Sequence, residues 1–479
     1  MKQVFLLFLV SILLAASAQA TIRYVDKDNR SCGTGVIYCD FQTAFDAAGP
    51  GDTIRVRNAS IPYTGEYDAR VSGNQGAPIT VEPDVGHNPN LNIRLNMWNV
   101  GWWTIQNLRW DECSTNWAPE TAIYAEATGG AGSHTGIVIT GNTLNCIGGT
   151  DQSNGGLGRK GYDQAAIATR SNYYPPFETL TATITNNTIS QALEAGIKIT
   201  HNHGTVVSGN DISGTRCGTT SGYRNASGIF LGGGAHPADQ PQAVIVSKNN
   251  IHDLQTDVDC IEAVYGFPPG VNGGGIYCDA GHDGDLIEDN TIYNINWNGP
   301  SIGNNRATGI FWENRCNNAT IRGNVIHNIR SGTGSGIQLA GNSSCYDSQG
   351  NQVYNNTVYD VEGDAAFTYW HYSWNNIVKN NIFGTASTGN GWAVNAGTIN
   401  LCTGNVIDGN QYYRVGGGSM TWQWDTTRTS SFSTWQSLSG ETNGQVADPQ
   451  FLSDPPPILN DPPPTQPAPG GKKQNPRSR

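Results

Sequence analysis

One short phrase recurs along this chain and limits what it can fold into. It is a Gly, Lys, Asp or Asn, then Asn, then a variable residue, then Leu, Ile or Val. Its copies include Gly141-Asn142-Thr143-Leu144, Asn186-Asn187-Thr188-Ile189, Gly209-Asn210-Asp211-Ile212, Asp289-Asn290-Thr291-Ile292 and Gly323-Asn324-Val325-Ile326. The aligned Asn falls at 142, 187, 210, 249, 290, 324, 356, 380 and 405, at intervals of 23 to 45 residues. The shortest intervals read as bare coils and the longer ones as coils carrying loops. Short alternating runs, Gly and Asn at the corners and no helical period point to a solenoid of strands in which each turn stacks on the last. Leucine-rich repeats share the length but need a Leu pattern that is missing. An Asn column at an inward corner is structural, because stacked amides satisfy polar groups that the turn would otherwise bury.

Composition agrees and excludes several classes. Gly accounts for 60 of 479 residues, charged residues for only 14%, and Met for 3, which is unlike a helical enzyme or coiled coil. With 27 Lys and Arg against 39 Asp and Glu the formal net charge is −12, so an electrostatic grip on nucleic acid or anionic lipid is not expected. Thirteen Trp, 19 Tyr and 12 Phe supply a large core and exposed aromatic surface.

Residues 1–20 read as a secretory signal: Lys2, an apolar run Val4–Ala16, then Ala18-Gln19-Ala20 before a cut near Thr21. No later segment is apolar enough to predict a membrane span. A secreted or periplasmic protein is expected, and a monomer. Its ten cysteines, at 32, 39, 113, 146, 217, 260, 278, 316, 345 and 402, are expected in disulfides. Cys32 and Cys39 are close enough to pair, and Cys113–Cys146 and Cys278–Cys316 are each about one repeat apart. A structural metal site lacks CxxC or HxxxH spacing. Residues 21–453 form the expected solenoid domain. Residues 454–479, with Pro455-Pro456-Pro457, Pro462-Pro463-Pro464 and a basic end, form a disordered Pro-rich tail, either a tether or a frayed terminus.

Three segments carry a family resemblance: Tyr24-Val25-Asp26 followed by Phe41 to Ile54, the strand Gly76-Ala77-Pro78-Ile79-Thr80-Val81, and the closing Ala447-Asp448-Pro449-Gln450-Phe451-Leu452. With the repeat, the chain resembles the right-handed parallel β-helix proteins of the pectate-lyase-like superfamily. The resemblance implies an all-β, right-handed parallel β-helix with an N-terminal capping helix, and a carbohydrate-active protein. It does not choose among lyases, hydrolases, epimerases and adhesins.

A second phrase precedes several of the column Asn residues: Gly228-Ile229-Phe230-Leu231-Gly232, Gly275-Ile276-Tyr277-Cys278-Asp279, Gly309-Ile310-Phe311-Trp312-Glu313 and relatives. With Ile facing the core, the outer stripe holds Arg170, Lys198, Phe230, Tyr277, Asp279, Phe311, Glu313 and Gln338. Asp279 and Glu313 each stand eleven residues before their own Asn, Asn290 and Asn324, so they are expected as stacked neighbours about 5 Å apart. That separation suits a retaining glycosidase. The arrangement is similar to the β-helical β-xylosidases, whose paired carboxylates also come from neighbouring coils, although no inserted β-sandwich domain is evident. Tyr277 and Phe311 are candidate sugar-stacking groups, with Trp312 beside them but expected to point inward. His201, His282, Trp370 and His371 are further candidate substrate contacts. The plainer alternative is a pair of solvated strand-end carboxylates, one of them matched by Arg315.

Elimination on a uronate polymer is a second reading, with Lys198 or Arg170 as base. An acidic region, Asp257, Asp259 and Glu262 with Asp279, Asp283 and Asp285, would then hold Ca²⁺; hydrolysis would need no cofactor. Polygalacturonase signatures are absent, since Gly281-His282-Asp283 is not Gly-His-Gly, and so is the Asp-Pro-His-Asp of mannuronan epimerases. A non-catalytic glycan-binding or adhesion protein is the third reading.

Overall fold

The structure is a computed structural model that describes residues 20–451 except 112–120, 129–133, 148–164, 172–179, 202–203, 216–223, 234–242, 257–270, 280, 298–305, 331–333, 342–346, 390 and 398–401. The proposed signal and the Pro-rich tail beyond Phe451 lie outside these residues. Each coil contributes a strand to three faces in turn. One coil runs through Leu286–Glu288 on the first face, Thr291–Trp297 on the second and Arg306–Glu313 on the third; the next returns at Thr320–Arg322. Strands on each face pair in parallel with the equivalent strand of the coils before and after, and the first face is a 14-stranded sheet. The chain is a right-handed parallel β-helix.

In-register stacking places like residues in columns. On the third face Ile123, Ile167, Ile197, Ile229, Ile276, Ile310 and Ile337 occupy one such column, all fully buried in the central core. The Gly preceding Ile276 and Ile310 has a steric cause. A methyl group on Gly275 would run into the side chain of Ile292 and the carbonyl of Gly309, and one on Gly309 into Ile326 and the carbonyl of Gly336.

The corner between the first and second faces carries the Asn ladder. Each Asn donates its backbone N–H and one amide N–H to the Oδ1 of the next, at 2.9 to 3.1 Å, through 142, 187, 210, 249, 290, 324 and 356. The second amide hydrogen goes to a first-face carbonyl, for example from Asn290 to Val246 at 2.9 Å. The ladder then runs through Asn381 and Asn410, not the expected Asn380 and Asn405. Asn380 is instead the left-handed residue preceding the rung (φ 56°), equivalent to Lys248 and Asp289. Asn405 belongs to a second ladder at the corner between the third and first faces, where Asn351, Asn376 and Asn405 stack in the same way. Both corners use a left-handed residue followed by Asn, and this shared chemistry causes the misalignment.

Because every rung donates in the same direction, the C-terminal end needs an acceptor. Glu441 fills that role: its Oε1 accepts both donors of Asn410 (3.0 and 3.2 Å), and its Oε2 accepts Tyr412 Oη (2.9 Å) and Trp435 Nε1 (2.7 Å). Burial raises its pKa above the ordinary carboxylate value despite these donors. Trp435 sits on the helix Phe432–Ser439, which the sequence reading did not anticipate. At the other end the expected capping helix is Phe41–Ala47, capped by Asp40 on the N–H of Thr43, with Phe41, Ala44 and Phe45 buried. Cys32–Cys39 and Cys278–Cys316 are disulfides, and Cys146 and Cys402 are also disulfide-bonded. Cys113, with which Cys146 is expected to pair, lies outside the described residues. No helix among the described residues is long and apolar enough to cross a membrane.

Asn290→Ala removes the acceptor for two buried donors of Asn249. The expected cost is about 3 kcal/mol, at ~1–3 kcal/mol per stranded buried polar group, read as a lower unfolding midpoint in denaturant. Glu441→Gln, which turns an amide N–H toward a donor, is expected to lower the midpoint too.

Candidate active site

Two rows of side chains face outward on the third face. The first runs Tyr124, Ala168, Lys198, Phe230, Tyr277, Phe311, Gln338. The second runs Glu126, Arg170, Thr200, Gly232, Asp279, Glu313, Ala340, Trp370. The alternation is as expected, but most of the stripe is not solvent-exposed. Lys198, Phe230, Tyr277, Phe311, Glu313 and Gln338 are all buried, and Tyr124, Phe230, Tyr277, Phe311 and Ala340 form an apolar cluster separate from the central core.

Asp279 and Glu313 are direct register partners on adjacent strands, a spacing of about 4.8 Å between their backbones. Cys278, beside Asp279, is bonded to Cys316, three residues after Glu313, so a covalent link fixes the register of the two coils that carry the carboxylates. Gly232 and Ala340 flank the pair in the same row, and both are buried. A side chain at Gly232 would strike the ring of Phe230.

Tyr277 Oη donates to Glu313 Oε1 at 2.6 Å and is also hydrogen-bonded to Asp279. Asn314 Nδ2 donates to Asp279 Oδ1 at 3.0 Å. Burial raises the pKa of Asp279 above the ordinary carboxylate value, and the hydrogen bonds from Asn314 and Tyr277 only partly oppose it. A buried pair of which one member holds its proton unusually well is equipped for general acid and base chemistry.

The other expected site residues fall differently. The ring of Tyr277 is 1% exposed, stacked on Phe311 (centroids 5.0 Å, planes 9° apart) and edge-on to Phe230, so neither Tyr277 nor Phe311 offers a face to a sugar. Trp312 lies wholly within the central core and does not reach the site. Arg315 pairs with Asp347 at 3.7 Å, not with Asp279 or Glu313. His282 is fully buried, its Nδ1 3.1 Å from Asp285 Oδ2, while Asp285, also fully buried, accepts the N–H of Val244 through Oδ1; both hold the turn together. Asp283 accepts from Asn318. His201 is packed beside Gly233, one residue beyond the row. Trp370 and His371, in contact at 4.6 Å and partly exposed, stand two coils beyond Glu313.

Lys198 is buried and held by Glu194 at 2.9 Å, with Phe230 between it and Tyr277. Arg170 is three coils from Asp279 in the same row and 3.9 Å from Glu126. The structure therefore keeps these two bases apart from the carboxylate pair. Asp257, Asp259 and Glu262, the candidate calcium ligands, lie outside the described residues. Among the described residues no group of three or more His, Cys, Asp or Glu is arranged to hold a metal. Sequence reasoning missed the carboxylate-holding roles of Tyr277 and Asn314. The position of Asn314, directly after Glu313 and so beside Asp279 of the preceding coil, was the available signal.

A coil geometry of this kind defines the right-handed parallel β-helix class, and residues 165–351 match the family model described as the right-handed β-helix region. The solved structure of XylC in complex with xylose is similar, with 12% identity over 90% of this chain and 87% of that one and a TM-score of 0.52, which shows a shared fold. A double mutant of the periplasmic alginate epimerase AlgG aligns at 13% identity over 84% of this chain and 78% of its own, with a TM-score of 0.46. A lacto-N-biosidase from Eubacterium ramulus aligns at 12% identity over 82% and 64%, with a TM-score of 0.42. No curated protein sequence matches the chain.

Because the folded pKa of Asp279 lies above its unfolded value, the carboxyl favours the folded state fully only below about pH 4, and this contribution is lost as pH rises through the folded pKa. Wild type is therefore expected to lose stability relative to Asp279→Asn over that interval. Denaturation of both proteins at stepped pH checks the sign.

Proposed function

We propose that the protein is a carbohydrate-active enzyme that hydrolyses glycosidic bonds with retention of configuration, Glu313 acting as nucleophile and Asp279 as acid and base. The carrying observation is the register pairing of the two residues on adjacent strands about 4.8 Å apart, a spacing that suits attack by one carboxylate on the anomeric carbon while the other handles the proton. The raised pKa of Asp279 favours it as the proton donor to the leaving oxygen. Glu313 Oε would form an ester to the anomeric carbon as the glycosidic C–O bond breaks. Water, deprotonated by Asp279, would then release the sugar. Trp370 and His371, partly exposed two coils beyond Glu313, would contact the saccharide. The likeness to a structure that holds xylose supports a saccharide ligand, and the disulfides fit work in the periplasm or outside the cell.

A panel of polysaccharides and aryl glycosides, followed for new reducing ends and for the ultraviolet absorbance of unsaturated uronates, with and without chelator, tests this reading. Reducing ends without absorbance are expected. Asp279→Asn and Glu313→Gln should each lower kcat by about 10²–10⁴-fold while leaving the fold intact. Absorbance lost on chelation would replace the proposal with calcium-assisted elimination, and binding without cleavage would replace it with a glycan-binding role.

A further inference from the structure

We propose that the Pro-rich tail docks on its own solenoid: residues 452–457 lie in extended form along a row of stacked His and Tyr rings on the second face, running back toward the N-terminal end. The row is on a different face from Asp279 and Glu313, and the inference stands apart from the hydrolase reading.

In-register stacking builds this row as it builds the Ile column. His252, Tyr293, His327 and Tyr359 are register partners on four successive strands of the second face, and all four are partly exposed. Their rings lie nearly parallel, with centroids 4.8 to 5.0 Å apart and planes 5° to 11° apart. The next strand, Ile382–Thr385, interrupts the row, because it brings Gly384 beside Tyr359. A side chain at Gly384 would strike the ring of Tyr413, its partner one strand further on. The returning chain supplies the missing ring: Phe451 packs against both Tyr359 (5.5 Å) and Tyr413 (5.7 Å).

The path of the chain gives the direction of docking. The last strand, Gln445–Val446, pairs with Gln411–Arg414, and Ala447 donates its N–H to the carbonyl of Tyr412, one coil past Tyr413. Four residues later Phe451 is back beside Tyr413 and Tyr359. The reversal is made at Gln450, which is left-handed (φ 52°) and donates its N–H to Asp448 Oδ1 at 2.9 Å. The chain therefore leaves Phe451 pointing down the row, and the same course leads over His327, Tyr293 and His252.

The segment that follows fits this course in stiffness, length and period. In Asp454-Pro455-Pro456-Pro457 each Pro fixes its own φ and keeps the residue before it extended. At about 3.1 Å per residue, Pro455–Pro457 fall about 12 to 19 Å beyond Phe451. Tyr293 and His252 stand three and four coils from the Gly384 position, or about 14 and 19 Å at about 4.8 Å per coil. One turn of polyproline helix is about 9.3 Å, and the row repeats its His–Tyr alternation every two coils, about 9.6 Å, so each turn of the tail meets the same kind of ring. Proline brings apolar ring surface and a carbonyl but no N–H. Tyr293 Oη makes no hydrogen bond among the described residues and is placed to donate to such a carbonyl. His252, held through both ring nitrogens by Asp253 at 2.7 Å and Asp211 at 3.2 Å, closes the row with a fixed ring. A segment already extended loses little entropy on docking, and its tether at Phe451 keeps it at high local concentration.

Hydroxyl-radical footprinting read by mass spectrometry tests the proposal without a substrate. Ring oxidation at His252, Tyr293 and His327 is compared between the full chain and a chain shortened to end at Phe451. Removing residues 452–479 is expected to raise it severalfold, with no change at Trp370, His371 and Tyr372, which report that the solenoid stays folded. A full-length variant with Pro455→Gly, Pro456→Gly and Pro457→Gly keeps the tail's length but not its stiffness, and should show the same rise. Equal oxidation of the row in the full and shortened chains overturns the proposal. So does protection that fades on dilution, which would place the tail of one molecule on another. If the shortened chain does not fold, the triple Gly variant decides alone, and unchanged oxidation there overturns the proposal.

Discussion

The whole architecture depends on coils that stack without slipping, and the buried Asn ladder is what prevents the slip. A parallel strand can shift along its neighbour and keep its backbone hydrogen bonds, but a one-residue shift turns every side chain to the opposite face. The ladder makes such a shift costly, because each rung offers its N–H groups to one amide oxygen of the next coil at about 3 Å, in an interior with no water to replace it. With register fixed at the corner, the Ile columns meet in the core. The same register brings Asp279 beside Glu313, and the Cys278–Cys316 bond secures it where the carboxylates lie.

Burial then decides what these carboxylates can do. On an open strand they would be two hydrated anions of ordinary pKa. Here Phe230, Tyr277 and Phe311 form an apolar floor beside them, and loss of hydration is the largest influence on Asp279. The aromatic residues therefore act through desolvation and through one hydroxyl group, not through a ring face presented to a ligand.

Much of this was legible in the sequence, for physical reasons. The Asn and Ile columns are read directly because a solenoid repeats the same local problem in every coil, and Asp279 and Glu313 follow at a fixed distance from their rungs. Two kinds of information were hidden. Two corners share one chemistry, so Asn380 and Asn405 could be aligned with the first ladder although only Asn381 and Asn410 belong to it. Alternation also tells inward from outward but not outward from exposed, so Tyr277 and Phe311 looked like a platform and Lys198 like an accessible base. Pairings such as Arg315 with Asp347 and His282 with Asp285 depend on turn conformation, which no period encodes.

The one-way run of amides also gives the solenoid unlike ends. At the ladder's N-terminal end the acceptor of Asn142 is already taken inside the solenoid by the N–H of Leu108 in the preceding coil, whereas at its C-terminal end the donors of Asn410 meet no further Asn. A last coil left uncovered would leave those donors, and the edge strand beside them, open to pairing with another chain. By accepting the terminal donors together with the N–H of Trp435, Glu441 ends the run of amides within the chain itself, so the last coil asks nothing of a neighbouring molecule.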